Sequence, residues 1–273
     1  MIYTIKHSTT AARPLFSILT KGNTMLREDI IKPYLDQHPW TMLFVTVSGA
    51  HLYGFASPDS DYDLRGAHYM PAKEVLGLTM PRETYEVMDL DAEIEMDLVT
   101  HDIKKFFAMI LNKNGYVLEQ IFSPIVIQTT PEHEELKAIA VKCITRFNHH
   151  HFKNFSKGQW QDLRKTNKPT VKKLLYAYRP VLAGIHLMTE HVIESNIITL
   201  NERFGLGYID ELVHAKTEGT EKIEAMNLDM EFHETELNRL LVMLEAESAR
   251  SSLPEQPAGR EELNDLLIRL RLK

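Results

Sequence analysis

The sequence predicts an α+β protein in which a mixed sheet with helices gives way to helices alone. Three observations carry this. Short β-branched or alternating runs bounded by Gly, Pro and Asp fall between residues 41 and 100. Apolar residues recur at helical spacing from Pro131 onward. SSLPEQPAG (251–259) then separates the last two helical stretches. The change of character falls near 125–135, which divides the chain into an N-terminal extension (1–26), a mixed segment (27–130) and a helical segment (131–273).

Each element has its own warrant. Ile30, Ile31, Tyr34 and Leu35 share one face of a helix over about 27–37, which His38-Pro39 ends. TMLFVTV (41–47) is a short apolar run suited to a buried strand. Gly49 and Gly54 bracket a single short helix, SPDSD (57–61) is a turn by composition, and YDLRGAHYM (62–70) is the next strand. YEVMDLDAEIEMDLVT (85–100) reads as a hairpin joined near Leu90–Ala92, with Glu93, Glu95 and Asp97 on one face and Ile94, Met96 and Leu98 on the other. HDIKKFFAMILNK (101–113) is an amphipathic helix, and helices follow over 131–196, 229–250 and 260–271.

Composition narrows the classes. At 273 residues the chain is long enough for two modest domains, and a net charge of −7 argues against a surface coated in positive charge for general nucleic-acid binding. The single cysteine, Cys143, supplies neither an internal disulfide nor a zinc cluster, which fits a cytoplasmic protein. No apolar run approaches the roughly 20 residues that span a bilayer. Residues 1–27 carry no acid and hold Lys6, Arg13, Lys21 and Arg27. They read as a loose tail or as sequence upstream of a start at Met25, with a transit peptide as the alternative.

The stretch SGAHLYGFASPDSDYDLRG (48–66) carries the chemistry. Asp61 and Asp63 are two apart, so on a strand they share a face with about 6–7 Å between Cα atoms. Carboxylates that close repel unless a cation lies between them, and Mg²⁺ favours one or two carboxylates with phosphate oxygens and water. A third acid from the 93–97 row completes a clamp able to hold the attacking and leaving oxygens of a phosphoryl displacement. Backbone N–H groups of the Gly49-Ala50 turn suit phosphates. A lone D-x-D pair is more often a solvated strand face, and the Glu93-Glu95-Asp97 row can equally be an exposed hairpin face. The ordered assembly is what lifts these acids above that background.

That assembly resembles the DNA polymerase β-type nucleotidyltransferases, whose pattern is a strand, Gly-Ser or Gly-Gly, about a dozen residues, Asp-apolar-Asp and a distant acid. Within them the chain is similar to the RNA-repair-associated predicted nucleotidyltransferases (the RlaP/YcgL-like group), which carry SGSxxYG…SDxDxRG. The matching residues are Ser48, Gly49, Tyr53, Gly54, Ser60, Asp61, Asp63, Arg65 and Gly66, with weaker continuations at 97–106, 118–124 and Lys173, Tyr178, Arg179. The resemblance implies a polymerase β-like mixed sheet over 27–130 as the catalytic domain, followed by a helical domain. It implies Asp61, Asp63 and Asp97 as catalytic residues and metal ligands, with Glu95 in reserve for Asp97. It further implies Mg²⁺ or Mn²⁺ as cofactor, an NTP (ATP favoured) as donor, and Ser48, Gly49, Ala50, Ser60, Arg65, Lys173 and Arg179 at the nucleotide. Ala50 departs from the pattern, which has serine there, and a hydrogen bond to a charged group is worth about 1.5–3 kcal/mol.

From Arg146 to Arg179 there are nine Lys or Arg and one acid, Asp162, interleaved with Phe147, Phe152, Phe155, Trp160, Tyr176 and Tyr178. Such a stretch suits a triphosphate or an RNA strand, or else consists of core aromatics beside a solvated basic face. His149-His150-His151 cannot all face one ion from a helix and reads as surface or basic-patch histidines. An RNA end is the favoured acceptor, on the basic stretch and on the association of the resembled family with RNA repair. A protein side chain, a small molecule, or an inactive nucleotide-binding module remain alternatives.

Overall fold

The computed structural model describes residues 27–58, 60–89, 95–166, 169–218 and 228–273. The N-terminal extension, the expected hairpin turn at 90–92, Glu93 and Ile94 lie outside the described residues. The mixed segment begins with α1 (Glu28–Asp36), β1 (Thr41–Val47), α2 (Gly49–Tyr53), β2 (Tyr62–Tyr69), α3 (Ala72–Val75), β3 (Thr84–Asp89) and β4 (Met96–Asp102). It closes with α4 (Ile103–Leu111), α5 (Gly115–Ile121) and β5 (Val126–Gln128). The helical segment holds α6 (Pro131–Cys143), α7 (His149–Lys165), α8 (Val171–Glu190), α9 (Ile197–Phe204), α10 (Gly207–Thr217), α11 (Met230–Arg250) and α12 (Arg260–Arg271). The α+β expectation is met, and each expected strand and helix on the described residues is present.

The five strands form one mixed sheet in the order β3-β4-β2-β1-β5. β2 and β4 run parallel, and the other pairs are antiparallel. Alternation along the strands gives the sheet two different faces. Val45, Val47, Tyr62, Leu64, Met96 and Leu98 form one, covered by Ile30, Ile31, Tyr34 and Leu35 of α1. The opposite face presents Phe44 and Ala67 to the helices, with the Phe44 and Phe106 rings edge-to-face at 5.5 Å. Asp63, Arg65 and Asp97 lie on this second face, since alternate residues share a side and paired residues point the same way.

The helical segment is built around α8, which is buried on nearly every side from Leu174 to Met188. One apolar cluster runs without a break from Leu43 and Phe44 on β1, through Leu174 and Leu182, to Leu240 and Leu266. The compositional change near residue 130 is therefore not a gap in packing. The last helix returns to the sheet, where Arg271 pairs with the buried Asp102 and donates to the Met70 carbonyl at 2.6 Å.

A buried ion pair joins the segments at their centre. The Arg179 guanidinium on α8 donates to Glu119 Oε1 on α5 at 2.5 Å, and its carbon stands 3.8 Å from the centre of the Tyr53 ring. Arg179 is 1% exposed and Glu119 2%. Burial pushes the Glu119 carboxyl up while Arg179 pulls it back. Removing one partner strands the other charge, whereas removing both costs far less. Arg179→Met is expected to lower stability by about 3–5 kcal/mol, and the added Glu119→Leu to restore much of that loss. Urea denaturation of the single and double variants measures it.

Candidate active site

The site is assembled where β1 ends. Its first element is Gly49, whose φ of +60° lies in the left-handed region that favours glycine. A Cβ at this position would stand 1.8 Å from Asp63 Oδ2, so only glycine lets the turn lie beside that carboxylate. The Ser48 N–H donates to the Asp63 carbonyl at 2.8 Å, tying the turn to β2. β2 and β4 then pair in parallel with Asp63 opposite Asp97, which places two carboxylates on adjacent strands of one face. Asp61 stands just before β2, and its buried Oδ1 has no hydrogen-bond partner.

Arg65 lies between the acids. Its Nη2 donates to Asp63 Oδ1 at 2.8 Å and to Asp97 Oδ2 at 2.6 Å. Nη1 donates to the carbonyls of Leu64 and Asp97, and Nε to the Tyr116 hydroxyl at 2.9 Å. Burial pushes the Asp63 carboxyl up to about 6, with repulsion from Asp61 and Asp97 adding to it and Arg65 opposing. Tyr62 and Leu64, between these residues, point into the opposite core.

α8 closes the site from above. Lys172 Nζ is 3.9 Å from Asp61 Oδ1, near enough for ion pairing but too far for a hydrogen bond. One turn on, the Tyr176 ring meets those of Tyr53 and Phe55 at 5.7 and 5.6 Å. Lys172, Tyr176 and Arg179 recur at i, i+4 and i+7, a single stripe of the helix. That spacing was the signal in the sequence that separates Lys172 from its neighbour.

Asp61, Asp63, Asp97, Gly49, Ser48 and Arg65 are thus brought together. Other sequence-predicted residues are not. Lys173 is exposed while Lys172 takes the place beside Asp61. Arg179 is sealed under α2 on Glu119 and Tyr53, so its charge is used in the core rather than on a phosphate. Ala50 is 1% exposed in the apolar cluster, which leaves only its backbone to face a ligand. Ser60 is buried on Ser57, whose hydroxyl accepts from Lys216 of α10 at 2.6 Å. Glu95 is exposed and precedes β4, and its carbonyl accepts from the Tyr62 N–H.

The basic stretch changes meaning in three dimensions. At least six of its nine cations are ion-paired: Arg146 with Glu255, Lys153 with Glu245, Arg164 with Glu234, Lys165 with Asp162, Lys172 with Asp61 and Arg179 with Glu119. Three of these acids lie C-terminal to α10 and are invisible to a local reading. Phe152, Trp160 and Tyr178 are core residues. His149 is buried rather than at the surface, with Nδ1 2.8 Å from Ser248 Oγ.

The acids suit a hard divalent cation chemically, since all three offer carboxylate oxygens and a buried oxygen of Asp61 lacks a hydrogen bond. Among the described residues, however, no three His, Cys, Asp or Glu side chains converge as a ready metal cage. The Arg65 fork holds one oxygen each of Asp63 and Asp97. Asp63 also gives the site a measurable pH signature. Its folded value lies above the ordinary 3.8, so the folded state binds this proton more tightly. Its contribution to stability is full below about pH 4 and is lost as pH rises through about 6. Buried His68, pushed down to about 3, and His101, His133 and His151, each pushed down to about 4, act in the opposite sense. The difference in urea midpoint between the metal-free protein and Asp63→Asn, followed from pH 4 to 7, should therefore isolate a slope that favours the wild type in acid.

The family model described as RNA repair pathway DNA polymerase beta family matches residues 27–269. The uncharacterized protein YcgL of Bacillus subtilis is 26% identical over 242 residues, which cover 83% of this chain and 88% of that protein. An uncharacterized protein of Methanocaldococcus jannaschii is 32% identical over 143 residues, 52% of this chain and 58% of that protein. The chain thus spans little more than half the length of the archaeal relative. The crystal structure of a nucleotidyltransferase-like protein from Exiguobacterium sibiricum overlaps 90% of this chain and 81% of its own, with 13% identity and a TM-score of 0.33, too loose to carry an argument. The family match runs from the first residue of the described fold into the last helix, and by it this chain belongs to the RNA repair pathway DNA polymerase beta family.

Proposed function

We propose that the chain is a nucleotidyltransferase that moves a nucleoside monophosphate from an NTP, ATP favoured, to a hydroxyl acceptor with release of pyrophosphate. The observation that carries this is the in-register pair Asp63 and Asp97 beside the left-handed Gly49 turn. A pair of Mg²⁺ or Mn²⁺ ions on Asp61, Asp63 and Asp97 would neutralise the triphosphate and the entering oxygen. The acceptor oxygen bonds to the α-phosphorus as the α–β bridging oxygen leaves with pyrophosphate. Asp97 takes the acceptor proton. With 28% of its side chain exposed against 18% for Asp63, Asp97 is the more open to an incoming group. The acceptor comes in over the sheet edge, where Met88 stands opposite Asp97 and is 67% exposed. Lys172 is the cation for the triphosphate.

An RNA end is the favoured acceptor, supported by the family's description. A hydroxyl on a protein or small molecule is the second reading, supported by the neutralisation of the basic stretch within the fold.

Labelled NTPs with Mg²⁺ or Mn²⁺, offered an oligoribonucleotide, a protein mixture or small polyols, test the activity and the acceptor together. Asp63→Ala and Asp97→Asn are expected to cut transfer by about 1000-fold or more. Lys172→Ala should raise the KM for NTP about tenfold, with Lys173→Ala close to wild type. No transfer to any acceptor, with wild type and Asp63→Ala alike, refutes the enzyme reading. Calorimetric ATP binding without turnover would identify an inactive nucleotide-binding module.

A further inference from the structure

Arg65 was expected at the nucleotide. A guanidinium has five N–H groups. Here five hydrogen bonds hold it: one from Nε to Tyr116, two from Nη1 to the Leu64 and Asp97 carbonyls, and two from Nη2 to Asp63 and Asp97. Contact with a phosphate would have to break some of them. The fork also takes only Oδ1 of Asp63 and Oδ2 of Asp97. Asp63 Oδ2 is turned toward Gly49, and Asp61 Oδ1, which lies before β2 and accepts no hydrogen bond, is within ion-pairing distance of Lys172. The fork therefore leaves Asp63 Oδ2 and Asp97 Oδ1 outside its own hydrogen bonds.

We infer that Arg65 is the positioning residue that fixes Asp63 and Asp97 as ligands, and that the affinity of the site for its divalent ion is set through this fork. The inference rests on the metal-dependent reading above. Two carboxylates on neighbouring strands repel each other, and without a bridge each would turn to separate rotamers. A lysine keeps the charge but has no planar fork and cannot hold two carboxylates and two carbonyls in one plane. Groups that hydrogen-bond metal ligands from behind change metal affinity by about 10–100-fold when removed. Tyr116, which accepts from Nε, sets the rotation of the fork from α5.

The test is Mn²⁺ binding to the full chain without nucleotide, followed by calorimetry and by the electron paramagnetic resonance of free Mn²⁺. Arg65→Lys is expected to bind Mn²⁺ about 10–100-fold more weakly than wild type, and Tyr116→Phe to fall between them. In turnover, Arg65→Lys should need more metal while its kcat at saturating metal recovers. A phosphate-contacting arginine would instead raise the KM for NTP at saturating metal, and that result overturns the inference. Equal or tighter Mn²⁺ binding by folded Arg65→Lys also overturns it. Should that variant fail to fold, unchanged Mn²⁺ affinity in Tyr116→Phe does the same. A wild-type chain that takes up no Mn²⁺ overturns the metal reading itself, and the inference with it.

Discussion

Asp63 and Asp97 stand in register on two parallel strands, and most of the site answers to the repulsion between them. Parallel pairing leaves no freedom to slide one carboxylate past the other, because a one-residue slip would turn every side chain to the opposite face. Tyr62, Leu64, Met96 and Leu98 fill the core beneath α1, so that slip is forbidden by packing. The charge must then be met locally. Arg65 meets it by donating to both carboxylates from one nitrogen, and Gly49 leaves room beside Asp63 that a side chain would fill.

The helical segment completes this arrangement instead of standing apart from it. α8 brings Lys172 over Asp61, sets Tyr176 against Tyr53, and buries Arg179 beneath α2. α10 reaches the same loop through Lys216 and Ser57. Since the turn carrying Asp61 is held by two helices far along the chain, loosening either should be felt at the carboxylates. A continuous apolar cluster makes that coupling mechanical.

Electrostatics in the basic stretch show how local reading misleads. Nine cations against one acid looks like a nucleic-acid surface. Glu234, Glu245 and Glu255 neutralise three of them from a part of the chain far away in sequence. Long side chains on neighbouring helices find each other at short range, and the field seen from outside is that of the pairs. Arg179 is the extreme case, its charge withdrawn into the core onto Glu119.

By itself the sequence determined the order of strands and helices, the glycine turn and the acids that share one sheet face. These depend on alternation, turn chemistry and short spacing, which are local properties. That Gly49, Asp61, Asp63 and Asp97 come together was legible from their residue types and short intervals. Lys172 rather than Lys173, the burial of Ala50 and Ser60, and the five-bond seat of Arg65 were decided only in the tertiary structure. Each depends on which side of an element faces a partner brought from elsewhere in the chain, and no local pattern encodes that partner's position.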